Sequence, residues 1–142
     1  MRTLLRHLSR GAIFGLLIVW ALPTIAADDT KQVVDMAQKW LTVVDSGNYV
    51  GAWEQASALI KGAVDKNGFA TQVAGVRKPL GKVVTRTLKT SKLETALPGA
   101  PDGHYLVMQF DTVFENKKVT VETVTFTHEK DGQWRSAGYF IK

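Results

Sequence analysis

The chain changes texture at Pro79-Leu80-Gly81, and that change limits its fold more than any other feature. Upstream, Val33, Ala37, Trp40, Leu41 and Val44 recur at the three-and-four spacing of a helix face, beginning at Thr30 and stopping at the breaker Asp45-Ser46-Gly47-Asn48. Tyr49, Trp53, Ala56 and Ile60 predict a second helix ending near Gly62. Phe69, Val73 and Val76 predict a third that stops before Pro79. Downstream the sequence turns to Val, Thr, Phe and Tyr in alternation, interrupted at 98–103, Asn116-Lys117 and Asp131-Gly132. Four strands are expected, over about 82–96, 104–115, 118–129 and 133–141. Helices followed by hairpin-linked strands predict an α+β fold. About three helices pack on one face of a curved, four-stranded antiparallel sheet.

Ahead of this body lies a segment with a different physical logic. Arg2, Arg6 and Arg10 precede an apolar run from Gly11 to Leu22 and a small-residue exit ending at Ala26-Ala27, the layout of a cleavable signal peptide. The apolar run is shorter than the roughly 20 residues a spanning helix needs, so no lasting membrane anchor is expected. Residues 1–27 are thus read as leader and 28–142 as one domain, periplasmic or secreted. Setting the leader aside leaves 15 basic and 13 acidic side chains, and the formal charge falls from +5 to +2. A global-charge argument for nucleic-acid binding loses its footing. The chain has no cysteine, which excludes disulfides, thiolate nucleophiles and Cys-ligated metals.

The hairpins allow the sheet to be read by face. Two-residue turns at Asn116-Lys117 and Asp131-Gly132 set Asp111 opposite Glu122, Phe126 opposite Ala137 and Val124 opposite Tyr139. One face then carries Leu106, Met108, Phe110, Phe114, Val119, Val121, Trp134 and Phe140 toward the helices. With them lie Thr123, Thr125, Thr127, Ser136 and Gly138, which either leave a recess or let a helix pack closely. The other face shows Val107, Val124, Phe126, Ala137, Tyr139 and Ile141. Exposed, this patch predicts a homodimer through the sheet face; a shifted register would scatter it.

Candidate chemistry is sparse. Asp111 and Glu122 as neighbours supply a possible base, with Tyr105 or Tyr139 as an oxyanion donor; paired carboxylates on an open sheet face are more often simply solvated. Outside the leader only His104 and His128 remain, in no ligand motif, so neither a metal nor a cofactor is expected. The run Arg77, Lys78, Lys82, Arg86, Lys89 and Lys92 has no acidic residue between Asp65 and Glu94. It suits either a polyanion or envelope surface, or the protection of an edge strand against aggregation. A bulge is expected near Lys89 to Lys92.

Several blocks carry a resemblance: Ala37-Gln38-Lys39-Trp40-Leu41, Trp53-Glu54-Gln55-Ala56-Ser57, Arg77-Lys78-Pro79-Leu80-Gly81, Leu97-Pro98-Gly99-Ala100-Pro101-Asp102-Gly103, and Asp131-Gly132-Gln133-Trp134-Arg135. The chain resembles a family of small exported bacterial proteins known only as a domain of unknown function. The resemblance implies a Gram-negative periplasm and a cystatin-like or nuclear-transport-factor-2-like fold; it assigns no catalytic residue. The expected role is a non-enzymatic module binding a partner protein or a small apolar ligand near Trp134 and Tyr139. The alternatives are a small lyase or isomerase, and polyanion binding.

Overall fold

The computed structural model of the chain describes residues 27–142; the expected signal peptide lies, apart from Ala27, outside them. Four helices precede four strands, as the α+β reading requires: α1 (Ala27–Asp45), α2 (Tyr49–Glu54), α3 (Ala58–Ala63), α4 (Lys66–Arg77), a 3-10 turn (Lys78–Leu80), β1 (Val83–Glu94), β2 (Tyr105–Phe114), β3 (Lys117–His128) and β4 (Trp134–Ile141). The strands form an open antiparallel meander in the order β1-β2-β3-β4.

Local chemistry fixes the starts of two helices. Asn48 caps α2 by accepting from the Gly51 N–H at 2.9 Å, and Asp65 caps α4 through Gly68 at 2.8 Å. The expected second helix is two helices, because Ala56 leaves helical geometry to pair with Ser136 of β4 and Ser57 N–H bonds the Ser136 carbonyl at 2.9 Å. That tertiary pairing overrides the continuous apolar spacing. Gly81 joins the helical and strand halves with φ +76, and a Cβ there would lie 2.7 Å from the Glu115 carboxylate, so the junction requires glycine.

The sheet register differs from the expected one by a single residue, with large consequences. The β2–β3 turn is Glu115-Asn116, with Phe114 opposite Lys117, and an irregularity beyond it sets Phe110 opposite Glu122 and Asp111 opposite Val121. Side chains alternate faces along a strand, so the slip turns β3 over relative to β2. Thr120, Glu122, Val124 and Phe126 point to the helices, whereas Val119 and Val121 lie on the open face. This corrects the expected faces: Val124 and Phe126 are core residues, not exposed ones. The β3–β4 loop is also one residue longer than expected, since Glu129 pairs with Gln133 and Gly132 takes φ +81. A bulge at Ala137 then absorbs the difference. Phe126 faces Ser136 rather than Ala137, while Val124 still faces Tyr139. Beyond the bulge Tyr139 and Ile141 join the helix face, and Phe140 moves to the open one.

The core lies between the helices and this face. Val33, Ala37, Trp40, Leu41 and Val44 of α1 pack with Ile60, Phe69 and Val73 onto Leu106, Met108, Phe110, Val124 and Phe126. Two indole N–H groups tie the helical layer together, Trp40 to the Ala52 carbonyl and Trp53 to the Val64 carbonyl, each at 2.9 Å. Among the described residues no helix is long and apolar enough to cross a membrane.

Candidate functional site

Five elements bring four charged side chains and a tyrosine together around the buried Glu122. Asp45 ends α1, Arg77 ends α4, Arg86 lies on β1, Glu122 on β3 and Tyr139 on β4. Glu122 is wholly buried. Its Oε1 accepts from Arg86 Nε at 2.7 Å and from Thr112 Oγ1 at 2.6 Å, and its Oε2 accepts from the Tyr139 hydroxyl at 2.5 Å. Arg86 turns its other two nitrogens onto Asp45 as a bidentate fork, at 2.7 and 2.9 Å. Arg77, 4% exposed, reaches Asp45 at 2.9 Å and the Tyr139 oxygen at 3.4 Å, and stacks its guanidinium 5.0 Å over Phe114. Two guanidinium groups thus meet two carboxyl groups in a network that runs from the buried Glu122 out to Asp45 at the surface, with Arg77 Nε buried and without a hydrogen-bond partner.

The electrostatics follow from burial. Desolvation works against both arginine charges, but Asp45 and Glu122 outweigh it at Arg86, and Tyr139 and Asp45 outweigh it at Arg77, so both pKa values rise. Burial pushes the Tyr139 hydroxyl far above the usual tyrosine value, and the neighbouring Glu122 pushes it further. Tyr139 is therefore a fixed donor. Trp40 packs edge-on against its ring at 5.6 Å and holds its direction.

Beside this network a cleft of about 240 Å³ opens between α4 and β4, lined by Phe69, Gln72, Val73, Val76, Tyr139, Phe140 and Ile141. Val76 is 51% exposed and Phe140 52%, so its rim is apolar and wet. The outer edge of β4 borders it. Lys142 exchanges both backbone bonds with Val121 at 3.0 Å, so alternation turns the N–H and C=O groups of Tyr139 and Ile141 away from β3.

The expected site residues are redistributed accordingly. Glu122 and Tyr139 meet in the network. Asp111 lies on the opposite face, exposed and 3.4 Å from Lys89, so the carboxylate pair of Asp111 and Glu122 does not form. Tyr105 is buried with its hydroxyl on the Pro101 carbonyl at 2.5 Å. Tyr139 and Ile141 line the α4–β4 cleft, Val107 and Ala137 are half-buried, and Trp134 stacks beside His128. The basic run does not form one patch either. Arg77 and Arg86 belong to the buried network, Lys89 pairs with Asp111 and Lys92 with Glu94, while Lys78 and Lys82 are exposed. Sequence reasoning missed Asp45 and Thr112. Asp45 reads as part of a helix breaker, and nothing local distinguishes Thr112 from its threonine neighbours.

Residues 36–139 match the model of a family described as a protein of unknown function, DUF4019. The chain belongs to this family. No curated protein and no solved structure gives a significant match. The DUF4019 match runs from the middle of α1 to Tyr139, and so includes the network residues Asp45, Arg77, Arg86, Thr112 and Glu122 as well as most of the cleft.

Proposed function

We propose that this DUF4019 protein is an exported, non-catalytic binding module that holds an extended apolar segment of a partner protein along the α4–β4 cleft. The observation that carries this reading is the coincidence of an apolar, half-exposed cleft with a strand edge that is unpaired among the described residues: the backbone groups of Tyr139 and Ile141 face outward beside Val76 and Phe140. An added strand gains main-chain hydrogen bonds from the edge and places alternate side chains in the cleft. The buried network supports the role by fixing Tyr139 from within, so the edge is rigid before a partner arrives. Export rests on the leader pattern of Arg2 to Ala27.

Neither alternative gains a supporting observation. A lyase or isomerase needs Glu122 to be open to substrate, whereas both its oxygens are engaged by Arg86, Thr112 and Tyr139 and the residue has no exposed surface. Polyanion binding loses Arg77 and Arg86 to their ion pairs with Asp45 and Glu122.

Selection from a random peptide library followed by NMR mapping tests the proposal. Selected peptides are expected to be apolar at alternate positions and to shift amides of Tyr139 to Ile141 and of α4, with Val76→Glu weakening binding at least tenfold. Peptides that map to another surface, or a cleft that selects none and takes only small apolar molecules, would overturn it.

A further inference from the structure

A separate feature lies at the far end of the sheet, where two histidines face each other across the β2–β3 pair. The His128 N–H donates to the His104 carbonyl at 2.9 Å, which extends the β2–β3 register one step beyond Tyr105 opposite Thr127. Residues directly opposite in an antiparallel pair project to the same face with their Cβ atoms about 5 Å apart. Both histidines are exposed, and both line an open cleft of about 660 Å³ between the 101–104 loop, the start of α3 and the β3–β4 hairpin.

His128 is held in one orientation by its ring contacts. Its Nε2 lies 3.1 Å from the Gly132 carbonyl oxygen, which only accepts, so Nε2 is the donor and Nδ1 is the ring nitrogen left to meet a ligand. Trp134 packs against the ring with centroids 5.1 Å apart. A ring N–H given to a backbone carbonyl is the usual way a metal-binding histidine is oriented. Of the three carboxylates that border the same cleft, Glu129 accepts from the Ala58 N–H at 2.7 Å and pairs with Arg135, Asp131 accepts from Gln133 and pairs with Arg135, and Asp102 is exposed on the loop before His104.

We propose that His104 and His128 form a two-imidazole clip for a borderline divalent transition metal, Cu(II), Ni(II) or Zn(II), at the mouth of this cleft. Imidazole nitrogen suits these ions, whereas Ca(II) and Mg(II) require oxygen ligands that the clip does not offer. Among the described residues no group of three or more His, Cys, Asp or Glu side chains is placed to share one ion. Water or a second molecule therefore completes the coordination, and the ion is exchangeable rather than structural. Cu(II) binds more tightly than Ni(II) or Zn(II), the ordinary order for such donors.

The test is titration of zinc chloride into the full chain carrying His7→Gln, so that every imidazole signal belongs to His104 or His128, read by nitrogen-detected NMR of the rings. Both rings are expected to shift together at one equivalent of zinc, and copper(II) is expected to give an electron paramagnetic resonance spectrum with two nitrogen ligands. Calcium and magnesium chloride leave the rings unmoved. His104→Ala is expected to weaken zinc binding at least about tenfold while leaving the circular dichroism unchanged, since His104 is exposed. Rings that stay fixed at millimolar zinc, one ring shifting alone, or equal affinity in His104→Ala would each overturn the proposal.

Discussion

Glu122 shows how a single side chain can change its meaning between sequence and fold. On a solvent-facing strand it is an ordinary carboxylate; opposite Phe110 it is wholly buried and must be bonded on every side. Tyr139 is one of its three donors, and the pair leads to a prediction about pH. The folded chain keeps the Tyr139 proton to higher pH than the unfolded chain, whose tyrosines titrate near 10. Above that value the folded state holds one proton more, so stability is full below pH about 10 and falls as pH rises, by up to about 1.4 kcal/mol per pH unit for this group. Tyr139→Phe should cost about 1 to 3 kcal/mol at neutral pH by removing a donor to Glu122. It should also flatten the alkaline slope, as read by urea denaturation of both chains between pH 8 and 11. Equal slopes would show that Tyr139 contributes nothing to it. None of these contacts is legible at the level of the residue, because Asp45, Arg77, Arg86, Glu122 and Tyr139 are spread over some ninety positions and meet only through tertiary packing.

At the scale of elements the sequence was more informative, and its failures have definite causes. Although α1 starts at Ala27, ahead of the expected Thr30, the helical and strand halves, the junction near Gly81 and the bulge at Lys89 follow from periodicity and turn chemistry. The register does not, because β3 carries apolar residues of both parities: Val119 and Val121 on one, Val124 and Phe126 on the other. Counting from Asn116-Lys117 favours the first pair, whereas burying the large Phe126 under α1 favours the second, and packing wins. The same balance explains β1, whose helix-side residues Leu88 and Leu93 remain partly exposed and which packs mainly on β2. Arg86 is its main tie to the rest of the molecule, reaching α1 through Asp45 and β3 through Glu122. Arg86→Met should cost about 3 to 5 kcal/mol, because it leaves the buried Glu122 without its cation. The loss should appear first as faster amide exchange in β1. A variant that loses less than about 1 kcal/mol would mean that Asp45 and Glu122 adapt without Arg86.

For the molecule as a whole, the decisive property is that an open meander has two edges and only one suits a partner. The β1 edge carries a bulge at Lys89 and the charged Lys89 and Lys92, with Lys82 just before it, devices that discourage strand addition. Among the described residues the β4 edge is covered only at its start, where Ala56 bridges Ser136, and is left open from Tyr139 to Ile141. Ile141→Pro separates the edge from the cleft beneath it. The Ile141 N–H points away from β3, so proline there removes no bond of the β3–β4 ladder, and proline is tolerated at such edge positions. The folded state should survive with a stability change within about 1 kcal/mol. Binding of an extended segment should fall sharply, because the outward N–H is one of its main-chain donors. A small apolar ligand that uses only Phe69, Val73 and Val76 would bind the variant as well as the parent. Peptide affinity measured against parent and Ile141→Pro therefore tells strand addition from simple pocket filling. Equal affinities would leave the cleft as a binding site but remove the strand edge from its mechanism.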